Sequence, residues 1–265
     1  MCRPTTAIIR GVWCWLSLGF VAVPYAGAYI NAGFRSQGEY NRYLRYEKQV
    51  RTKIAPYSAA IHRNPNDAVS YYQRARAWDQ LPVYNGPWPE NQPEKGLDAR
   101  YQALKDYDQA IALDPSFGRA YLWRAGSLWY HGIYGKAVQD LEKAIRLEPK
   151  WPLARAFLAS VRTACPDEEY RDQAAARKQA EQACTATGYT DPASLEVLAA
   201  VCAQDGDFAR AVKWQTKAVK LLKDSVPGYD ARQRLRVYEK RRKNPYPLTL
   251  RELEQASKDP RPAKK

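Results

Sequence analysis

At 265 residues, with 45% apolar side chains and 12% aromatics, the chain has enough apolar material for one or two ordinary cores. A mean hydropathy of −0.63 argues against a polytopic membrane protein. The net charge is +14, and frequent alanine with few β-branched runs suits helices packed closely through small residues.

The N-terminus reads as a targeting segment. Arg3 and Arg10 precede a short apolar run from Gly11 to Val23, Pro24 breaks it, and Ala26-Gly27-Ala28 has the form of a small-x-small cleavage site. The run is shorter than the roughly 20 residues that cross a bilayer. A cleaved signal peptide over 1–28 is therefore expected, which implies export to a periplasm or cell envelope. An uncleaved anchor over 11–30 is the alternative. Residues 29–37 read as a linker.

Residues 38–67 are predicted to hold a degenerate helix pair. Tyr40, Tyr43 and Leu44 mark its first helix, and Ile54, Tyr57, Ala60 and Ile61 its second, at spacings of three and four. Pro65-Asn66-Asp67 then ends one helix and caps the next. A second pair spans 68–117. Tyr71, Ala75 and Trp78 lie on its first helix, and Ala103, Tyr107, Ala110 and Pro115 mark its second. Between them, roughly 81–96, sit 16 extra residues with Pro82, Pro87, Pro89 and Pro93, so a loop is expected there. Trp88 in that loop either docks on a partner or folds back over the edge of the stack.

The clearest unit is 118–151. Counting Gly118 as position 1, Tyr121 falls at 4, Ala125 at 8, Leu128 at 11 and Gly132 at 15. Tyr134 follows at 17, Ala137 at 20, Leu141 at 24, Ala144 at 27 and Pro149 at 32. Arg124 stands at position 7, where an apolar residue is usual. Residues 152–191 are a weaker unit broken at Cys165-Pro166-Asp167, and 192–224 a clear one with Ala199, Gly206, Ala211 and Ala218 at positions 8, 15, 20 and 27. A basic capping helix is expected over 227–242. The tail, 243–265, is rich in proline and charge and is expected to fray, beginning just beyond the capping helix.

Pro115 and Pro149 lie 34 residues apart, and each follows an alanine by five residues, as Pro65 does. These positions resemble the tetratricopeptide repeat (TPR), over roughly 38–222. The stretch from Ala164 to Cys184, with Gly206-Asp207-Phe208 and Trp214-Gln215, is similar to that of bacterial exported TPR proteins of unassigned role. The resemblance implies an all-α fold: a right-handed α-α superhelical solenoid of four to five antiparallel helix pairs with a C-terminal cap. It also implies a binding scaffold without chemistry of its own.

Nothing in the residues argues for chemistry. His62 and His131 have no metal-ligand companions at suitable spacing, and phosphate loops and nucleophile elbows are absent from the sequence. No cofactor, metal or catalytic residue is expected. Cys165, Cys184 and Cys202 read as small buried thiols, because helix geometry offsets Cys165 from Cys184 by roughly 18 Å at 1.5 Å per residue, too far for a disulfide unless a non-helical stretch around Pro166 brings them together.

Binding remains. In the resembled family, positions 2, 5, 9, 12 and 13 of each first helix line a concave groove. Here that implies Val69, Tyr72, Arg76, Asp79 and Gln80, then Arg119, Leu122, Gly126, Trp129 and Tyr130. Tyr72, Arg76, Arg119, Leu122, Trp129 and Tyr130 are the candidate contacts for a peptide or protein partner, since Arg, Tyr and Trp dominate interface hot spots. The alternative for Trp129 and Tyr130 is packing against the neighbouring repeat. The family's best-known clamp for a peptide's terminal carboxylate uses Lys and Asn, and that pattern is missing.

A second reading uses charge. Residues 226–265 carry twelve Lys/Arg against five Asp/Glu. Arg232, Arg234 and Arg236, then Lys240, Arg241, Arg242 and Lys243, form a cluster suited to an acidic envelope polymer or an anionic membrane. Nucleic acid is a poorer fit for an exported chain. The plain alternative is a charged cap that keeps the end of the solenoid soluble.

Overall fold

The computed structural model describes residues 37–80, 99–223, 225–241, 248–249, 252–254 and 257. The expected signal segment 1–28, all but the last residue of the 29–37 linker, the 81–96 insertion with Trp88, and Arg242 and Lys243 lie outside them. Among the described residues no helix is long and apolar enough to cross a membrane.

The described helices are α1 (Gln37–Arg63), α2 (Ala68–Asp79), α3 (Ala99–Leu113), α4 (Gly118–Tyr130) and α5 (Tyr134–Leu147). After them come α6 (Pro152–Ala164), α7 (Gln173–Ala186), α8 (Pro192–Gln204), α9 (Phe208–Leu222) and α10 (Val226–Glu239). A single 3₁₀ turn, Glu168–Tyr170, lies between α6 and α7. Each helix packs against the next along the chain, with α2–α3, α4–α5, α6–α7 and α8–α9 as the four main pairs. First helices also touch one another, α2 with α4 and α6 with α8. This is the stacked-pair solenoid, in which one core runs through the whole array.

Local chemistry sets the helix ends. Asp67, Asp172, Asp191, Asp207 and Ser225 cap α2, α7, α8, α9 and α10 by accepting a hydrogen bond from a first-turn N–H. Pro152 and Pro192 open α6 and α8, where the missing N–H costs nothing. α4 and α8 close on Gly132 and Gly206, both at positive φ (74° and 82°). In α4 the Gly132 N–H bonds the Trp129 carbonyl and the Ile133 N–H the Leu128 carbonyl; Gly206 and Asp207 repeat this on Ala203 and Cys202. That left-handed closure is why glycine occupies position 15.

The core follows the alanine rule. Ala75, Ala103, Ala110, Ala125, Ala137, Ala144, Ala199, Ala211 and Ala218 are all fully buried. Backbones approach closest there, and Tyr107, Leu122, Leu141, Phe157 and Leu195 fill the spaces between. Each of the larger side chains adds roughly 1.5–3 kcal/mol on burial. Cys165, Cys184 and Cys202 are free and buried.

Two expectations change. The helix pair expected within 38–67 is one continuous 27-residue helix, with Pro56 inside it. The intervening Glu47-Lys48-Gln49-Val50-Arg51-Thr52-Lys53 has no turn-forming residue, so propagation outweighs the hydrogen bond lost at Pro56. The fraying expected beyond 243 does not hold at the described tail residues. Leu248 and Leu253 are buried in the core, and Thr249, Glu252, Glu254 and Ser257 are partly buried.

Candidate partner-binding groove

The candidate surface is the face carried by the first helices α2, α4, α6 and α8. Spacing of four puts Tyr72 and Arg76 on one face of α2. Tyr72 is buried against Phe117 and Tyr107, with ring centroids 4.9 and 6.3 Å away. Burial pushes its hydroxyl pKa up. One turn on, Asp79 ties three helices together, accepting from the Tyr107 hydroxyl at 2.6 Å and the Ser127 hydroxyl at 3.0 Å. Burial first, and the Asp79 charge second, hold the Tyr107 hydroxyl protonated.

Arg76 is the centre of this face. Its guanidinium carbon lies 3.2 Å from the centroid of the Trp123 ring, a stacked cation–π contact between α2 and α4. Its Nη2 donates to Glu254 Oε1 at 2.6 Å, and both side chains are largely shielded from water. The aromatic plane fixes the guanidinium, and the fixed guanidinium holds a carboxylate.

The described tail residues continue the contact along the same face. Ser160 on α6 occupies position 9 of its repeat, the counterpart of Arg76, and its hydroxyl donates to the Leu248 carbonyl at 2.7 Å. Thr249 and Glu252 make a reciprocal cap: the Thr249 N–H and hydroxyl donate to Glu252 Oε2, and the Glu252 N–H approaches Thr249 Oγ1 at 3.3 Å. That cap opens a helical turn at 252–254 and directs Leu253 inward, where it is fully buried. Ser257 then donates to Asp191 Oδ1 at the start of α8.

At the far end Glu196, position 5 of α8, is almost fully buried. Its Oε1 accepts from Arg234 Nη2 at 2.8 Å, Arg234 Nε at 3.1 Å and Gln215 Nε2 at 3.0 Å. Burial raises the Glu196 pKa, opposed by Arg234. Arg234 also lies 3.7 Å from Glu252.

The candidates therefore divide. Tyr72, Arg76 and Leu122 lie within this face, but Tyr72 and Leu122 are buried. Arg119 is exposed, its guanidinium 6.0 Å from the Trp151 ring. Tyr130 is 55% exposed. Trp129 turns out to pack: its ring meets Tyr134 at 4.8 Å and Phe157 of the next repeat at 6.4 Å. In the basic cluster Lys240 and Arg241 are exposed, whereas Arg234 is a structural cation held by Glu196. Arg232 donates to the Lys223 carbonyl. Sequence reasoning missed Ser160, Leu248, Leu253 and Glu254. The Thr249-x-x-Glu252 capping pattern between two leucines was the signal available.

No family model matches the chain. Over 116 residues, 44% of the chain, it is 31% identical to Hsp70-Hsp90 organizing protein 3 of Arabidopsis thaliana, of which the match covers 17%. Over 113 residues, 43% of the chain, it is 28% identical to small glutamine-rich tetratricopeptide repeat-containing protein 2 of Mycosarcoma maydis, of which the match covers 28%. The fold aligns with a chain in the crystal structure of the APC/C hetero-tetramer Cut9-Hcn1, with a TM-score of 0.57 and 19% identity, covering 74% of this chain and 34% of that one. The chain is a tetratricopeptide-repeat protein. It spans less than a third of the length of these two sequence relatives. In TPR terms, Arg74 and Arg124 both stand at position 7, and each meets an aspartate at position 23 of its own repeat, Asp106 and Asp140.

Proposed function

We propose that this TPR protein is a scaffold that binds a peptide or protein partner on the face of its first helices, with Arg76, Arg119 and Tyr130 as contacts. TPR relatives support the scaffold role in general terms, and one is named as an organizer of Hsp70 and Hsp90. The observation that carries the reading is the pair of position-9 side chains. Arg76, braced on Trp123, takes a carboxylate, and Ser160 takes a main-chain carbonyl. One side-chain handle and one main-chain handle are what an extended or briefly helical peptide needs.

No catalytic step belongs to this reading. The terminal-carboxylate clamp stays outside it, since Tyr72, Trp123 and Arg76 stand at positions 5, 6 and 9 in place of that clamp's residues. Export remains part of the proposal, and an N-terminal mass measurement on the native protein tests cleavage after Ala28.

The test is site-specific photocrosslinking from positions 119 and 130, both exposed, followed by mass spectrometry. The expected result is one partner crosslinked from both positions and lost on Arg76→Glu. Crosslinks insensitive to Arg76→Glu, or arising equally from the exposed back-face residue Lys220, would overturn it.

A further inference from the structure

We infer that the C-terminal segment 248–257 is a built-in competitor for the first-helix face, and that the external partner it mimics is an acidic, leucine-bearing peptide. The inference rests on the groove reading above and adds the gate and the ligand chemistry.

Four observations converge. The segment's contacts fall on first helices or their continuation: Arg76 on α2, Ser160 on α6, Asp191 at the cap of α8 and Arg234 on α10. Two of those four, Arg76 and Ser160, hold the same repeat position on α2 and α6. The segment supplies a peptide's recognition elements in order: a carbonyl at Leu248, a buried leucine at 253 and a carboxylate at Glu254. Finally, its helical turn is closed by its own Thr249–Glu252 cap, so that turn is specified locally as a free peptide's would be.

The charges also match. The chain is strongly basic overall, at +14, yet the segment turns its Glu252 and Glu254 carboxylates toward Arg234 and Arg76. A basic peptide would leave both arginines, each largely shielded from water, facing like charge. An acidic peptide with a leucine before its carboxylate reproduces the resident contacts.

Because the segment is tethered, it competes at an effective concentration that a free peptide must exceed. Occupancy by the resident segment therefore sets the threshold for partner binding. Any condition that weakens Arg76–Glu254 lowers that threshold.

The test uses the full chain and a fluorescein-labelled, end-capped peptide of residues 248–257, in which Glu252 and Glu254 outweigh Arg251, read by anisotropy. Glu254→Arg in the chain is expected to tighten peptide binding on the order of tenfold over the parent, by releasing the resident segment. Adding Arg76→Glu to that chain re-pairs the two positions with reversed charge and is expected to return binding to the parent level. Leu253→Ala serves as an independent opener, with far-ultraviolet circular dichroism confirming retained helix. A peptide carrying the same Glu254→Arg change is expected to bind the opened chain at least about tenfold more weakly.

Equal peptide binding by the parent and both opened chains overturns the inference and makes 248–257 a permanent part of the core. Tightening that the charge swap does not reverse overturns it too. A dimer-to-monomer change on adding peptide also overturns it, because the resident segment would then come from a second copy. If the peptide arm fails while crosslinks from positions 119 and 130 still depend on Arg76, the groove reading stands and only the competitor falls. If both fail, neither stands.

Discussion

Arg124 and Asp140 meet through two parallel hydrogen bonds of 2.7 Å each, joining the two helices of one repeat, and Arg74 and Asp106 form the same pair one repeat earlier. An arginine at position 7 therefore replaces an apolar contact without leaving a buried charge alone. The arrangement is two-sided, since Arg124 also reaches the exposed Asp108 at 2.8 Å. Arg124→Met strands the shielded Asp140 carboxylate and is expected to cost about 2–3 kcal/mol. Arg124→Met with Asp140→Leu is expected to regain most of that loss. Urea midpoints of the two variants decide the matter, and equal midpoints would show that the pair carries no coupling.

Ala137 is fully buried where α5 meets its neighbours. Ala137→Arg forces a charge into a contact sized for a methyl group. A loss of several kcal/mol is expected, seen as a large fall in melting temperature. An unchanged melting temperature would remove the packing rationale for position 20.

Trp129 and Tyr130 are neighbours with opposite fates. Trp129→Ala removes contacts to Tyr134 and Phe157 and is expected to destabilise by about 2 kcal/mol, below the range for a fully buried tryptophan because this ring is half-buried. Tyr130→Ala is expected to stay within about 0.5 kcal/mol of the parent. Denaturant titrations of both variants check this, and the reverse ranking would contradict the packing described for α4.

The three described thiols are shielded chemically as well as sterically. Burial pushes the Cys184 thiol up to about 12 and raises Cys165 and Cys202 as well. Alkylation near neutral pH is expected to leave all three unmodified in the folded protein and to modify all three in urea, as read by peptide mass mapping. Fast labelling of any of them in the native state would mean that its helix opens locally.

Asp67 caps α2, and the hydrogen bond from the Ser70 hydroxyl, then those from the backbone, hold its carboxyl below the ordinary carboxylate value. A folded-state pKa below the unfolded one means the cap's contribution is present above the ordinary value. It is lost as pH falls through the folded value. Asp67→Asn, which keeps an accepting oxygen, is expected to flatten the acid limb of the stability curve below about pH 4. Identical acid limbs for parent and variant would show that this group contributes nothing to acid unfolding.

Much of the solenoid was legible because its rules are local. A methyl-sized gap demands alanine, and a left-handed closure demands glycine, so Ala125, Gly132, Ala137 and Ala144 announced one repeat by spacing alone. What escaped depends on partners distant in sequence. Nothing near Glu254 in the chain indicates Arg76, 178 residues away. Arg234 reads as one more basic residue until Glu196 is found beneath it. The α1 region failed for a different reason: two short apolar stripes suggested two helices, while the charged residues between them favoured one. Trp129 sat at a groove position, yet a ring that size reaches the adjoining repeat.

The pairing of α2 with α3 has a practical side. These helices pack as closely as any other pair, though Asp79 and Ala99 bound a stretch of chain that the other pairs do without. Closing a longer connection costs only about 0.6 kcal/mol per doubling of its length. Because α2 and α3 keep their pairing across this longer connection, lengthening it further with a tag or a second binding module is expected to leave the repeats on either side stacked.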